Sequence, residues 1–229
     1  IHELLQAIDR RVKKRLPAAY LLNEAWLRGY KFYVDERVIV PRSFIGELLD
    51  DGLSPWVQDR AAVTEVLDMC TGSGCLAIMA AVVFPNAKVD AADTSADALQ
   101  VARRNIADYQ FEQRITPVKS DLFSALGTKR YDIILCNPPY VTDAAMAKLP
   151  VEYTHEPKLA LAGGADGMNL VKTLVRQARG HLKRGGVLIV EVGDGRPAAD
   201  KIFSDLPLTW LTTSAGDDMV FLVRQEELA

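Results

Sequence analysis

The chain of 229 residues has the length of one ordinary domain with a smaller appendage, and its 49% hydrophobic and 25% charged residues are enough for a sizeable core. No apolar run reaches the roughly 20 residues that a membrane span needs, and the first residues lack a signal-peptide pattern, so we expect a cytoplasmic protein without a membrane partner. A net charge of −3 argues against a protein that wraps nucleic acid. With three cysteines and three histidines, neither a disulfide framework nor a metal site is expected.

Residues 1–42 form a basic segment, with nine Lys or Arg against five Asp or Glu, and we expect it to be separate from a main domain over 43–229. The chain does not begin with Met, so we also expect residues upstream of Ile1. Apolar residues from Leu4 to Val12 recur at helical spacing and predict an amphipathic helix with a basic end. We interpret that end as a solvated helix face rather than a nucleic-acid contact.

Two short apolar runs, 32–34 and 37–40, flank an acidic pair and predict a β-hairpin that ends at Pro41. The following stretch, 43–58, has apolar residues at helical spacing and predicts a helix.

From Val63 onward, strand and helix patterns alternate. Strands are predicted at 63–69, 87–92, 115–119, 131–136, 187–192, 208–213 and 219–223. Helices are predicted at 76–84, 94–109, where Thr94 and Asp97 form a capping box, and 168–182. This alternation predicts an α/β fold with a doubly wound, Rossmann-like and mostly parallel sheet, and the last two strands, without a helix between them, predict one antiparallel strand near the C-terminus.

A glycine-rich loop, Asp68-Met69-Cys70-Thr71-Gly72-Ser73-Gly74, follows the first strand of this series and opens a helix. Glycines there let a ligand approach backbone N–H groups closely. Asp93 ends the next strand, where a carboxylate can accept both hydroxyls of a ribose. The pattern favours a nucleoside-containing cofactor over a plain turn; NAD(P) stays open, although a clean third glycine is missing. Asp121, with Leu122, follows the third strand and can accept from an adenine amino group.

The second motif is Asn137-Pro138-Pro139-Tyr140, directly after the buried strand 131–136. The Asn137 amide oxygen and the Pro138 carbonyl can both accept from one planar NH₂ group while the Tyr140 ring packs on its face. Fixed acceptors would aim a poorly nucleophilic nitrogen at an electrophile. The alternative for this motif alone is a proline-rich turn after a core strand.

The chain resembles methyltransferases that use S-adenosylmethionine to modify exocyclic or amide nitrogens. The resemblance rests on the two motifs, the acidic end of the second strand and Ser120-Asp121-Leu122-Phe123. Residues 32–43, 149–157 and 163–167 resemble, more narrowly, the protein-glutamine methyltransferases of translation proteins. Two stretches resemble the branch that acts on the third protein of the large ribosomal subunit. One is the Pro-Arg-Ser ending at 41–43, where the release-factor enzymes have Pro-Arg-Pro-Glu-Thr, and the other is Pro-x-Glu-Tyr-x-His-Glu-Pro at 150–157. The resemblance covers nearly the whole chain. One departure is Cys70, where the release-factor branch commonly has Gly.

The resemblance implies methyl transfer from S-adenosylmethionine to a glutamine side-chain nitrogen, and it assigns roles to individual residues. The methionine end of the cofactor would be lined by Cys70, Thr71, Gly72, Ser73 and Gly74. Asp93 would hold the ribose, Asp121 and Leu122 the adenine. Asn137 would border the cofactor, and the glutamine amide would be held by Asn137, Pro138, Pro139 and Tyr140, of which Asn137, Pro138 and Tyr140 are the expected catalytic residues. His155 is a candidate base by residue type only.

The loop 142–162 follows the second motif, so we expect it to cover the substrate and carry its specificity. The expected partner is a ribosomal protein of the large subunit, with release factors as the related substrate class and nucleic acid not required. Two other functions remain open from the residues. One is an adenine methyltransferase acting on DNA or RNA, which uses a similar motif but needs a basic cleft or an added domain. The other is a binding module without turnover.

Overall fold

The computed structural model describes residues 2–228, which form a seven-stranded sheet with helices on both faces and a smaller N-terminal part. The helices are α1 (His2–Lys13), α2 (Ala18–Leu22), α3 (Ile45–Asp50), α4 (Cys75–Val83), α5 (Ala96–Asp108), α6 (Asp143–Met146), α7 (Asn169–His181) and α8 (Arg196–Ile202). The strands are β1 (Ala25–Leu27), β2 (Tyr30–Phe32), β3 (Glu65–Met69), β4 (Lys88–Asp93), β5 (Ile115–Lys119), β6 (Tyr131–Cys136), β7 (Val141–Thr142), β8 (Ala162–Gly164), β9 (Leu182–Glu191), β10 (Thr209–Thr213) and β11 (Gly216–Arg224).

The sheet order is β10-β11-β9-β6-β3-β4-β5, and β11 runs antiparallel to both of its neighbours while the other pairs are parallel. The predicted doubly wound, Rossmann-like sheet with one antiparallel strand is therefore confirmed. The order reverses between β3 and β6, so the carboxyl ends of these two strands open a crevice at the switch point. The glycine-rich loop follows β3 and the Asn-Pro-Pro-Tyr motif follows β6, which places both at that crevice.

Alternating residues of the central strands enter two different cores. On one face Val66 and Ile133 pack with α3 and α4; on the other, Leu67 and Ile134 pack with α7. All four side chains are at most 1% exposed, as expected for parallel strands that are covered on both faces. No helix among residues 2–228 has the length and apolar character to cross a membrane.

The predicted hairpin at 32–40 is wrong. The hairpin pairs β1 with β2 instead, around Arg28 and Gly29, whose φ angles of 51° and 82° give the left-handed turn that suits antiparallel strands. Residues 33–40 lack this pairing because the Asp35 carboxylate closes a local loop: it accepts from the Tyr33 hydroxyl and from the backbone N–H and guanidinium of Arg37.

Two helix predictions also need correction. Within the predicted helix 43–58 only α3 forms, and residues 51–56 are turns. The cap of α5 is Ser95 rather than Thr94, because the Ser95 hydroxyl accepts from the Ala98 N–H.

The N-terminal helix is confirmed as α1, but those of its apolar side chains that the structure describes do not join a core. The side chain of Leu4 lies outside the described residues, and those of Leu5, Ile8 and Val12 are exposed. The domain boundary at residue 42 stays a prediction, since Leu27 and Phe32, which precede it, pack in the core beside α3 and α4.

Candidate active site

Two cavities meet at the carboxyl edge of the sheet. The first, here called the glycine-loop cavity, has a volume of about 120 Å³ and is lined by Gly72, Asp93 and Leu122 among others. The second, the Tyr140 cavity, has a volume of about 620 Å³ and lies between Tyr140 and Tyr153. Both cavities share Ile39, Asn137 and Ala160 in their walls. Asn137 therefore stands where a ligand in one cavity would contact a ligand in the other.

The buried carboxylate of Asp68, in β3, holds the glycine-rich loop by hydrogen bonds. This carboxylate accepts from the Thr71 hydroxyl and, at 3.0 Å, from the Ala77 N–H in the first turn of α4. Burial raises the pKa of Asp68 to about 7. At Gly72 (φ 54°) an added Cβ would meet no heavy atom within 4 Å, so the backbone there borders open space. The loop can thus admit a ligand against its backbone, as a nucleoside-containing cofactor requires.

Asp93 closes the other side of the glycine-loop cavity. Its carboxylate accepts from the Gly72 N–H at 2.9 Å and from the Ser95 N–H at 2.8 Å, and burial raises its pKa. These two bonds fix the carboxylate and leave further lone pairs, which can accept ribose hydroxyls.

The third loop of this cavity, residues 120–124 after β5, is held in shape by hydrogen bonds of its two serine hydroxyl groups. Asp121 and Leu122 line the cavity, and Leu122 has a φ of 47°. The Ser120 hydroxyl donates to the Leu122 carbonyl at 2.5 Å, and the Asp121 N–H donates to the Ser124 hydroxyl at 3.2 Å. These bonds present a carboxylate and an apolar side chain side by side.

Most, but not all, of the predicted cofactor residues lie together. The glycine-loop cavity is lined by Cys70, Gly72, Asp93, Asp121, Leu122 and Asn137. Thr71, Ser73 and Gly74 are not among its lining residues: the first two are buried, and a Cβ on Gly74 would come within 3.2 Å of the Ala102 Cβ. Their contact with a cofactor stays a prediction.

The side chain of Asn137 is oriented by a distant loop. Its Nδ2 donates to the Arg42 carbonyl at 3.2 Å. Its Oδ1 then remains as the acceptor that a bound amide or amine can use. Pro138 and Tyr140 line the Tyr140 cavity with Asn137, whereas Pro139 lines the glycine-loop cavity. A substrate contact by Pro139 therefore stays a prediction.

Tyr140 is fixed from several sides. Its hydroxyl donates to Glu191 at 3.3 Å, and a Cβ on Gly193 would lie 2.6 Å from a ring carbon of Tyr140. A Cβ on Gly163 would lie 2.7 Å from the Tyr140 Cα. Burial and the neighbouring Glu191 raise the pKa of Tyr140, so its hydroxyl stays protonated. The ring is a rigid, neutral wall for a planar ligand.

The loop 142–162 contributes Leu149, Tyr153 and Leu161, among others, to the Tyr140 cavity. That it covers a substrate stays a prediction. It is tied to the N-terminal part by Arg42, which donates to both oxygens of Glu156 at 2.9 and 2.7 Å and lies 4.7 Å from the centre of the Tyr153 ring. Sequence reasoning missed this connection because its partners are more than 100 residues apart. It also missed Glu191, whose only signal is an acidic residue in the apolar strand β9.

His155 lies away from both cavities. Its Nε2 is 2.7 Å from the Lys14 carbonyl, so the ring ties the loop to the end of α1. The basic residues at and just after the end of α1 are also engaged, because Arg11 and Arg15 form ion pairs with Glu152. Among the described side chains, no group of three or more His, Cys, Asp or Glu could hold a metal ion.

Comparison with known proteins identifies the family of the chain. Residues 47–153 match the methyltransferase small domain. The chain is 56% identical over 225 residues to the ribosomal protein uL3 glutamine methyltransferase of Bordetella pertussis, a match that covers 98% of this chain and 76% of that protein. It is 55% identical over 235 residues to the protein of the same name from Burkholderia pseudomallei, covering 100% of this chain and 76% of that protein.

Solved structures agree on the fold. A methyltransferase from Pyrococcus furiosus superposes with a TM-score of 0.61 at 17% identity, covering 98% of this chain and 96% of that chain. The relatives from Bordetella pertussis and Burkholderia pseudomallei share more than half of their aligned residues with this chain over nearly its whole length. This identity confirms the resemblance to protein-glutamine methyltransferases. The chain therefore belongs to the family of the ribosomal protein uL3 glutamine methyltransferases.

Proposed function

We propose that this protein transfers the methyl group of S-adenosylmethionine to the side-chain amide nitrogen of a glutamine in ribosomal protein uL3. The observation that carries the proposal is the position of Asn137, which lies in the wall of both cavities with its Nδ2 bound to the Arg42 carbonyl. A residue so placed can hold an acceptor for an amide N–H where a cofactor in the neighbouring cavity would present its methyl group.

The residues of the glycine-loop cavity fit S-adenosylmethionine. Gly72 offers a bare backbone, Asp93 retains acceptor capacity for two ribose hydroxyls, and Asp121 with Leu122 offers an acceptor and an apolar contact for adenine. When bound, this cofactor supplies an electrophilic methyl group on a sulfonium.

The residues of the Tyr140 cavity act on the glutamine. An amide nitrogen is a poor nucleophile because its lone pair is delocalised into the carbonyl. With one N–H bound to the Asn137 Oδ1 and the other to the Pro138 carbonyl, the nitrogen is aligned, and the positive charge that develops on its hydrogens is stabilised. Bound S-adenosylmethionine would supply the methyl group to this nitrogen and leave as the neutral thioether, and the proton that the nitrogen loses would pass to water.

Tyr140 and the loop 142–162 would give the site its selectivity. The fixed Tyr140 ring would pack on the planar amide, while Leu149 and Tyr153 would contact residues beside the glutamine. Release factors are the related substrate class, and discrimination between them and uL3 would arise from this loop.

The experiment is mass spectrometry of ribosomal proteins from cells with and without the gene, with fragmentation that locates the added mass. We expect one methyl group on a glutamine side chain of uL3 that disappears in the deletion strain. Unmodified uL3 in the wild-type strain, with a lost methyl group on another protein or on ribosomal RNA, would contradict the proposal.

A further inference from the structure

Glu191 is a buried carboxylate on which two segments of the site converge. It ends β9 and is 2% exposed. Its Oε2 accepts from the Ser43 hydroxyl at 2.6 Å and from the Phe44 N–H at 2.9 Å, while its Oε1 accepts from the Tyr140 hydroxyl at 3.3 Å. A buried carboxylate is costly unless hydrogen bonds satisfy it, so its three donors indicate a fixed arrangement.

The donors lie next to the groups that would hold the glutamine amide. Ser43 directly follows Arg42, whose carbonyl accepts from the Asn137 Nδ2. Tyr140 ends the motif that Asn137 begins. One oxygen of Glu191 thus holds the side chain of Ser43 and the Phe44 N–H, directly after the carbonyl that orients Asn137. The other oxygen holds the Tyr140 hydroxyl.

We propose that Glu191 is a positioning residue for the methyl transfer, which sets the Asn137 amide and the Tyr140 ring in the geometry that the glutamine nitrogen needs. The inference rests on the proposed function. A positioning role differs from a purely structural one because loss of Glu191 should then lower kcat even when the variant folds normally.

The test compares Glu191→Gln with Glu47→Gln. Glutamine in place of Glu191 keeps the shape but has one acceptor oxygen, so it cannot accept from both segments. Glu47 is a matched control, because its carboxylate also accepts from a serine hydroxyl and a backbone N–H, those of Ser214, away from both cavities. We expect kcat to fall about 10- to 100-fold in Glu191→Gln, as for a small misplacement of reacting groups. Cofactor affinity should change less than about twofold, as should all parameters of Glu47→Gln.

A second cycle separates positioning from a general structural effect. Because Glu191 is proposed to act partly through Asn137, Glu191→Gln should lose at least about threefold less activity in an Asn137→Ala background than in the wild type. An equal loss in both backgrounds would overturn the inference, as would a folded Glu191→Gln variant with wild-type kcat. If Glu191→Gln does not fold, Ser43→Ala removes one of the three bonds and should show the same coupling to Asn137→Ala.

A readout without substrate keeps this inference separate from the proposed function. The side-chain amide signal of Asn137 in a nitrogen-15 NMR spectrum can be assigned by its loss in Asn137→Ala. It should shift in Glu191→Gln and stay unchanged in Glu47→Gln; an unchanged signal in both would contradict the positioning role. Failure of wild-type protein to methylate uL3 would count against the proposed function, whereas an unshifted signal counts against the role of Glu191.

Discussion

The two cavities that meet at Asn137 are built in different ways. The glycine-loop cavity contains contacts within one strand–loop unit, such as Thr71 with Asp68, and between consecutive units, such as Gly72 with Asp93. The Tyr140 cavity depends on contacts between segments about 100 to 150 residues apart, such as Arg42 with Glu156 and Ser43 with Glu191. A short sequence motif is enough to keep the shape of the glycine-loop cavity. The shape of the Tyr140 cavity, in contrast, changes when any of several distant loops changes. We therefore expect substitutions to separate cofactor binding from the use of the protein substrate.

The largest effect is expected at the boundary of the two cavities. Asn137→Ala should reduce kcat on the order of 10²- to 10³-fold, because it removes one preorganised hydrogen-bonding group that acts mainly in the transition state. Cofactor affinity, measured by calorimetry, should remain nearly that of the wild type. If cofactor affinity fell by as large a factor as kcat, Asn137 would act on the cofactor rather than on the glutamine amide, which would contradict the account.

Asn137→Asp sharpens the same comparison. It keeps the shape of the side chain and its acceptor oxygen, but an ionised carboxylate cannot donate to the Arg42 carbonyl. We expect reduced kcat here as well, with cofactor affinity retained. Full activity would show that the bond to Arg42 does not orient this side chain.

The next largest effect concerns the cofactor half. Asp93→Ala should remove a charge-assisted contact to the ribose worth about 1.5–3 kcal/mol, or roughly tenfold to more than a hundredfold in S-adenosylmethionine affinity. Calorimetry with S-adenosylmethionine and with NAD checks both the size and the ligand. The exposed Asp97, four residues later, provides the control Asp97→Ala. An equal loss in the control, or tight binding of NAD to the wild type, would be inconsistent with our assignment.

A smaller effect is expected from the connection that shapes the substrate half. Arg42→Lys removes the planar guanidinium that donates two parallel hydrogen bonds to Glu156 and replaces it with an ammonium that cannot reproduce this geometry. The KM for uL3 should rise about three- to tenfold, with cofactor affinity unchanged. Arg28→Lys, which alters an exposed pair with Asp50, is the control and should have no effect. Weakened cofactor binding in Arg42→Lys would mean that the two cavities are not separable.

Substitution of Asp35 should have the smallest effect on cofactor binding and on use of the protein substrate, because only the stability of the fold should change. Hydrogen bonds from the Arg37 guanidinium lower the pKa of Asp35 to about 2 in the folded protein. A lowered folded-state pKa stabilises the protein above the ordinary Asp value near 4, and this contribution is lost as the pH falls toward 2.

Denaturant unfolding of Asp35→Asn measures this contribution. The variant should lose about 1–2 kcal/mol of unfolding free energy at pH 7, allowing for the partly exposed guanidinium, and the difference from the wild type should shrink below pH ~4. A difference that grows toward low pH would contradict the sign of the linkage. The ratio of cofactor affinity to uL3 KM should not change.

The elements that the sequence predicted well are those with local signals. The strand before Asn137 was recognisable from its apolar run, and the loop around Gly72 from glycines between a strand and a helix. The hairpin was misplaced because apolar residues at 32–34 and 37–40 outweighed the turn signal of Arg28 and Gly29, although residues 33–40 fold around the Asp35 carboxylate instead.

The substrate half was less accessible to prediction. The motif predicted Asn137 and Tyr140, but the groups that orient them, Arg42 and Glu191, depend on which distant segments the sheet brings together. A single acidic residue at the end of an apolar strand carries no information about its partner. The topology of the sheet supplies that information, because it sets Glu191 beside the loop that follows β6.

The most direct test of the account offers purified protein and labelled S-adenosylmethionine to uL3, to a release factor and to duplex DNA in separate reactions, with Asn137→Ala in parallel. We predict label in uL3 that is lost in Asn137→Ala, with the methyl group on a glutamine side chain. Label in DNA alone, also lost in Asn137→Ala, would contradict the account and make the second motif an adenine site.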